Sequence, residues 1–246
     1  MPFYDELAGQ YNDIVDEARR VSSAEDFAGW LVRTRGARKV LDVACGTGLH
    51  TAAMAKLGAE VTAADISPEM LKQAKCNAGV LAEAIQWRQS AMENLAEVTN
   101  GPFDAILCLG NSLPHLLTEE QLHSAVENFK KRLAPSGVVV IQILNYHRIL
   151  ERRERIVGVT RVGDVEYVRF YDFLDGRIRF NILRLEWRDD GCDHQLYQTT
   201  LRPYRSEELI QAFTAAGFQP PMVYGDLRRQ TFDPAASECL VLLATP

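Results

Sequence analysis

Cysteines are few in this sequence and follow no ordered pattern. Cys45, Cys76, Cys108, Cys192 and Cys239 are scattered over 246 residues and form no CxxC pair. Their odd number leaves at least one without an internal partner, which argues against a disulfide framework or a zinc ribbon and fits reduced thiols in a cytosol. No apolar run approaches the roughly 20 residues that span a bilayer. The opening MPFYDELAGQYNDIVDEARR lacks the apolar core of a signal peptide. The expectation is a soluble, cytoplasmic protein with no membrane partner. A basic excess is also missing: 27 Lys and Arg stand against 33 Asp and Glu, a net charge of −6. Nucleic-acid binders usually carry a basic footprint, so no nucleic-acid partner is expected. Internal repeats and low-complexity linkers are absent. The 47% apolar content suits one globular unit with room for an inserted subdomain.

What is present is an alternation of strands and helices. Residues 3–19 predict an amphipathic helix with Tyr4, Leu7, Ala8, Tyr11, Ile14, Val15 and Ala18 on one side. Ser22 or Ser23 opens a second helix ending near Gly36. Strands follow at 39–44, 59–64, 84–89, 103–109 and 138–144, with helices at 51–57, 68–81 and 118–133. Ser67-Pro68 and Thr118 are the expected helix starts. The apolar run at 138–144 suits a strand of a parallel sheet buried on both faces. From about 155 to 201 the period changes to two, in VEYVRFYDF, RIRFNILRLEW and HQLYQTTLR, with Asp175-Gly176 and Asp190-Gly191 as turns. That stretch predicts an antiparallel insert of three or four strands. A helix at 206–216, closed by Gly217, and strands at 222–225 and 238–244 complete a doubly wound α/β pattern.

The stretch VLDVACGTGLH, residues 40–50, runs a buried strand into a glycine turn. Ligands of open α/β sheets bind at the carboxyl ends of the strands, where strand order reverses. Gly46 and Gly48 fall there, but Thr51 stands where a dinucleotide fingerprint needs its third glycine. The lysine of a phosphate-binding loop is also missing. Asp42, at the strand tip, would repel a pyrophosphate and favour a cationic group. S-adenosylmethionine fits that requirement, since it carries an ammonium and a sulfonium and no phosphate. Asp65, ending the second strand, can accept two ribose hydroxyls. Ser90, Ala91 and Met92 suit an adenine edge and face.

DVACGTG, AADIS, SAMENL and FDAILCLGNSLPHL occur in that order and spacing. Together they resemble the class I S-adenosylmethionine-dependent methyltransferases, closely over residues 40–144 and loosely over the whole chain. The nearest branch is the glycine/sarcosine N-methyltransferase group, with its CLGNS rim, a following His, and an Asn-Tyr pair matched by Asn145-Tyr146. The resemblance implies a Rossmann-like, doubly wound, seven-stranded sheet with its last strand antiparallel, carrying an antiparallel β insert and an N-terminal helical lid. It implies a methyltransferase domain from 1–150 and 202–246, with residues 1–36 as lid and 151–201 covering the substrate pocket. Asp42, Ala44, Gly46, Gly48, Asp65, Ile66, Ser90, Ala91, Met92 and Leu109 would hold S-adenosyl-L-methionine, released as S-adenosyl-L-homocysteine. The methyl acceptor would be a small molecule, methylated on an amine nitrogen.

One departure stands out. The glycine enzymes place an Arg immediately before the Asn-Tyr pair, and here that residue is Leu144. Leucine cannot form the bidentate clasp that suits Arg to carboxylates. Methyl transfer is an in-line displacement that needs alignment and water exclusion more than acid-base machinery. Asn111, His115 and Tyr11 are the nominees nearest the reacting atoms. Asn145, Tyr146, Arg202 and Tyr204 are the nominees for the acceptor, with Arg169 and Arg179 as alternative anion binders. Tyr4 and Tyr11 also read as core packing, and Arg202 and Tyr204 as structural residues. A non-catalytic S-adenosylmethionine-binding module and a nicotinamide-dependent oxidoreductase remain as alternatives.

Overall fold

A computed structural model describes residues 2–14 and 17–246. Val15, assigned above to a helix face, lies outside the described residues, as does the side chain of Ala18. The single helix expected at 3–19 is instead broken. Helix α1 (Pro2–Leu7) passes through a tight turn at Ala8–Gln10 into α2 (Tyr11–Ile14), and α3 (Glu17–Ala28) follows. Gly9 falls in that turn, where its low helix propensity weakens continuity. Helix α3 begins before Ser22 and Ser23, so neither serine caps it. The amphipathic face is real: Leu7 and Ile14 are buried with Phe3 in one cluster.

Seven strands form the main sheet. In chain order they are β1 (Lys39–Val43), β2 (Glu60–Asp65), β3 (Gln86–Gln89), β4 (Phe103–Cys108), β5 (Leu133–Leu144), β10 (Met222–Tyr224) and β11 (Cys239–Ala244). Their spatial order is β10-β11-β5-β4-β1-β2-β3, and β11 alone runs against the others. The order reverses between β1 and β4, so the crevice at their carboxyl ends is where a ligand is expected. Val139, Val140 and Ile141 of β5 are fully buried, because helices cover both faces. On one face Phe27 and Leu31 pack with Met54 over Val40, Val61 and Leu107. On the other, Phe129 of α7 (Glu119–Arg132) and Phe213 of α9 (Ser206–Ala215) pack over Leu41, Ile106 and Ile141.

The helix starts follow local chemistry. Ser67 caps α5 (Pro68–Ala78) by accepting from the Met70 amide at 3.1 Å, with Pro68 at the first helical position. Thr118 and Gln121 form a reciprocal capping box at α7. Between β1 and α4 (Leu49–Lys56), Gly48 has φ +81°.

The insert is a four-stranded antiparallel sheet, β6 (Ile156–Val162), β7 (Val165–Leu174), β8 (Arg177–Arg188) and β9 (Gly191–Leu201), in sequential order. Tyr167, Ile182 and Tyr197 share one of its faces and pack on Phe3, Leu7 and Ile14. The first two helices are thus held between the insert and the main sheet. Tyr167 donates to Gln10 Oε1 at 2.9 Å, and Ser67 donates its hydroxyl to Asp5. Among the described residues, no helix is long and apolar enough to cross a membrane.

A Cβ on Gly48 would lie 2.9 Å from Ala74 Cβ on α5. Gly48→Ala is therefore expected to lower stability by about 1–2 kcal/mol from left-handed strain alone, plus the cost of the clash. Urea unfolding of the two proteins measures the difference.

Candidate functional site

Two adjoining chambers open at the carboxyl ends of β1, β2 and β4. Counting space open to solvent, the first spans about 770 Å³ and the second about 1070 Å³. Tyr4, Tyr11, Arg20, Gly110 and His115 line both, so they form the boundary between the two spaces.

The first chamber is built on the glycine turn. Asp42, Ala44, Gly46, Asp65, Ile66, Met92 and Leu109, all expected from sequence, line it. Asp42 is 2% exposed and accepts from the Thr51 hydroxyl. Burial pushes its carboxyl up to about 7, against the pull of the Thr51 hydrogen bond, with Asp65 adding repulsion. Asp65 is 6% exposed and is also raised by burial. Its Oδ2 accepts from the Gly46 amide at 2.8 Å and its Oδ1 from the Ser67 amide at 2.9 Å. Among the described residues, neither carboxylate has an ion-pair partner. The amide that a phosphate would seek at this turn is occupied by a carboxylate.

Gly48 does not line this chamber; it serves the packing of α4 against α5 instead. Ser90 and Ala91 also lie outside the lining, although the neighbouring Met92 is in it. Ser90 closes the end of β3 by donating its backbone amide to the Asp65 carbonyl at 3.0 Å.

The boundary is made by the N-terminal helices and the rim after β4. Gly110 and Asn111 have φ of +73° and +72°, a conformation glycine and asparagine tolerate best. Asn111 Oδ1 accepts from the Leu144 amide at 2.9 Å and from the Tyr146 hydroxyl at 3.1 Å. Asn111 thus faces the second chamber with its carbonyl already committed to the end of β5. His115 Nε2 lies 2.7 Å from the Tyr4 hydroxyl, tying the lid to the rim. Burial lowers the His115 pKa to about 4, so the ring is neutral near pH 7. Its Nδ1 is buried with no hydrogen-bond partner.

Several acceptor nominees lie elsewhere. Asn145 caps α8 (Tyr146–Arg152), and its amide nitrogen donates to the carbonyls of Pro234 and Ser237 at 2.9 Å each. Tyr146 is fully buried and reaches the site only through Asn111. Arg202 pairs with Glu119 and Glu208 and stacks over Tyr204, whose hydroxyl donates to the Leu116 carbonyl at 2.6 Å. Neither lines either of the two chambers. Arg179 is exposed, across from Asp172 on β7. Arg169 does line the second chamber.

Sequence reasoning missed Arg20 and undervalued Tyr4. Arg20 lies on α3 and borders both chambers, and no motif marks it. His50 also lines the first chamber, with its pKa lowered to about 4 by burial. Among the described residues, no cluster of His, Cys, Asp or Glu is placed to hold a metal ion.

The comparisons fit this geometry. A family model described as a methyltransferase domain matches residues 40–137. The glycine/sarcosine N-methyltransferase of Halorhodospira halochloris is 30% identical over 229 residues, covering 92% of this chain and 82% of that one. The glycine/sarcosine N-methyltransferase of Parasynechococcus marenigrum (strain WH8102) is 29% identical, covering 94% and 81%. Among solved structures, an S-adenosylmethionine-dependent methyltransferase from Clostridium acetobutylicum ATCC 824 superposes with a TM-score of 0.81. It covers 98% of both chains at 18% identity.

Because His115 binds protons less readily folded than unfolded, the unfolded chain gains protons first as pH falls below about 6.5. Stability from this residue is full above that pH and lost toward pH 4. Wild type is expected to lose about 2 kcal/mol more than His115→Gln between pH 7 and pH 5, measured by urea unfolding at each pH.

Proposed function

Since the chain belongs to the class I S-adenosylmethionine-dependent methyltransferases, in the glycine/sarcosine N-methyltransferase branch, we propose that it methylates an amine nitrogen of a small molecule. The observation that carries this reading is the pair of chambers meeting at one rim, with both acids in the first and none among the residues lining the second.

The first chamber fits the donor on its own chemistry. Asp42 and Asp65 are buried carboxylates lacking a cation, and the donor's ammonium suits Asp42. Asp65 keeps acceptor capacity toward ribose hydroxyls beyond its two backbone amides. Arg20 is the cation beside the chamber that suits the donor's carboxylate. Ile66, Met92 and Leu109 give apolar surface for the adenine. When bound, the donor supplies an electrophilic methyl group on a sulfonium.

The chain's own residues then act on the acceptor. An amine must present a neutral nitrogen. The second chamber offers no carboxylate to stabilise an ammonium, so it favours the free base. His115, held neutral by burial, can form a hydrogen bond to the acceptor, while its lowered pKa makes it a weak base. Tyr4 holds His115 in place and Tyr11 closes the boundary beside it, 6.4 Å from Tyr4 between ring centres. Asn111, clamped by Leu144 and Tyr146, fixes the rim. These are positioning roles, as an in-line transfer requires. The branch resemblance also favours nitrogen, since the two curated relatives are named as N-methyltransferases.

Two outcomes are expected. Incubation with S-adenosylmethionine and a panel of small amines, alcohols and thiols should release S-adenosylhomocysteine with amines. Release only with alcohols or thiols would overturn the nitrogen assignment, and tight binding with no release would favour the non-catalytic reading. Donor binding should also expel a proton from Asp42, because an ammonium beside it favours the carboxylate. Affinity is then expected to rise with pH up to about 7 and level off, a trend calorimetry in buffers of different ionisation enthalpy would read as proton release.

A further inference from the structure

We propose that the outer face of the insert is the interface of a two-fold dimer, in which the sheet of one copy packs face to face on the sheet of a second copy of this chain. The proposal is independent of the acceptor's identity. An antiparallel sheet with one face on a core and the other in water alternates apolar with polar residues. Strand β8 does not keep that alternation. Ile178, Phe180 and Ile182 point to the buried side, whereas Leu183, Leu185 and Trp187 point the other way. Cross-strand pairing extends this second face into one apolar row. Val159 on β6, Val168 on β7, Leu183 on β8 and Leu196 on β9 stand opposite one another in turn. Among the described residues, Val168, Leu183 and Leu185 join no buried cluster, although they sit on the two central strands of the insert. Val159, Trp187 and Leu196 are exposed. A contiguous apolar patch of this kind marks an interaction site, and tryptophan is enriched among the residues that anchor one.

Charge indicates what covers the patch. On the same face Asp172 of β7 stands opposite Arg179 of β8. Asp172 pairs with Arg155 and accepts from Asn181, which leaves it acceptor capacity. Arg179 is exposed and, among the described residues, forms no ion pair. Consider a two-fold axis between the two sheets, parallel to the strands and midway between β7 and β8. It lays β7 of one copy over β8 of the other. Asp172 then meets Arg179 of the partner subunit, and the same pair forms again on the other side of the axis. Val168 meets Leu183 of the partner subunit, and Val159 meets Leu196 of the partner subunit. Glu166 falls on Leu185 of the partner subunit, so no carboxylate is set against another. Packed sheets rotate by about 30°, an offset that the long arginine side chain can span. An axis along the apolar row would instead set Glu166 on Phe170 of the partner subunit and leave Arg179 without a carboxylate opposite. Complementarity of a patch with itself under one axis is the property of an isologous interface. Val168 and Leu183 adjoin Arg169 and Ile182, which line the second chamber, so the dimer braces that wall from behind.

Sedimentation equilibrium of the full chain at micromolar concentration is expected to give twice the monomer mass. Leu196→Lys and Trp187→Lys, at exposed positions, should each weaken association at least tenfold. Arg179→Asp should do the same by setting like charges against each other. Val80→Lys, at an exposed position outside the insert, should leave association unchanged. Circular dichroism checks that each variant is folded. Cross-linking tests the arrangement itself. With Cys76 and Cys192 replaced by Ser, Val159→Cys together with Leu196→Cys should give a covalent dimer on oxidation, and either substitution alone should not. Within one chain these positions are three strands apart, about 14 Å, which is too far for a disulfide. A monomer would overturn the proposal and leave the face to a different protein. A dimer unaffected by Leu196→Lys, Trp187→Lys and Arg179→Asp would overturn it by placing the interface elsewhere. A covalent dimer from Val159→Cys alone would overturn the axis.

Discussion

The site depends on one interaction above others: the Asp65 carboxylate accepting the backbone amides of Gly46 and Ser67. It joins the turn after β1 to the tip of β2 and the start of α5, so three segments share one acidic hub. Burial raises the cost of that charge, and the two charge-assisted hydrogen bonds offset it. Because the Gly46 amide is taken, the turn cannot cradle a phosphate in the manner common to glycine loops. Asp42, also buried and held by Thr51, strengthens the same preference. We propose that these two side chains convert a turn that looks suited to nucleotide phosphates into a seat for a cation.

Charge is also divided between the two chambers. Both acids lie on the side lined by the glycine turn, the second chamber has Arg169 and no acid, and Arg20 borders both. Tyr4, Tyr11 and His115 line the boundary together with Arg20 and Gly110. Under the proposed function, a donor that carries positive charge and an acceptor nitrogen that must be uncharged have opposite needs, and this distribution of acids suits both. The N-terminal helices make this possible. They pack against the insert through Phe3, Leu7 and Ile14 and against α5 through the Asp5–Ser67 hydrogen bond.

The main sheet was legible because its signals are local. Apolar strands, the Ser67-Pro68 start, the Thr118 cap and the glycine turn each follow from a few neighbouring residues, and the change to a period of two marked the insert. Asp42, Asp65 and Met92 were legible because a strand tip faces the ligand crevice in any such sheet. Which residues enter the second chamber was harder to read. Arg169 and Arg179 both lie on strands of the insert, and only the packing of that sheet on α1 and α2 determines that Arg169 faces inward. Asn145 looked like an acceptor contact, but its amide is consumed by the loop carbonyls of Pro234 and Ser237, residues far away in sequence. Arg20 carries no motif, and the break at Gly9 that separates α1 from α2 was hidden by a continuous amphipathic pattern.

The central claim is that Asp42 and Asp65 select a positively charged methyl donor over a phosphorylated nucleotide. Calorimetric titration of S-adenosylmethionine and of NADH into wild type, Asp42→Asn and Asp65→Asn tests it most directly. Wild type is expected to bind S-adenosylmethionine and not NADH, and each variant to lose about 1–3 kcal/mol of donor affinity. NADH binding more tightly than S-adenosylmethionine, or donor affinity unchanged in both variants, would contradict it.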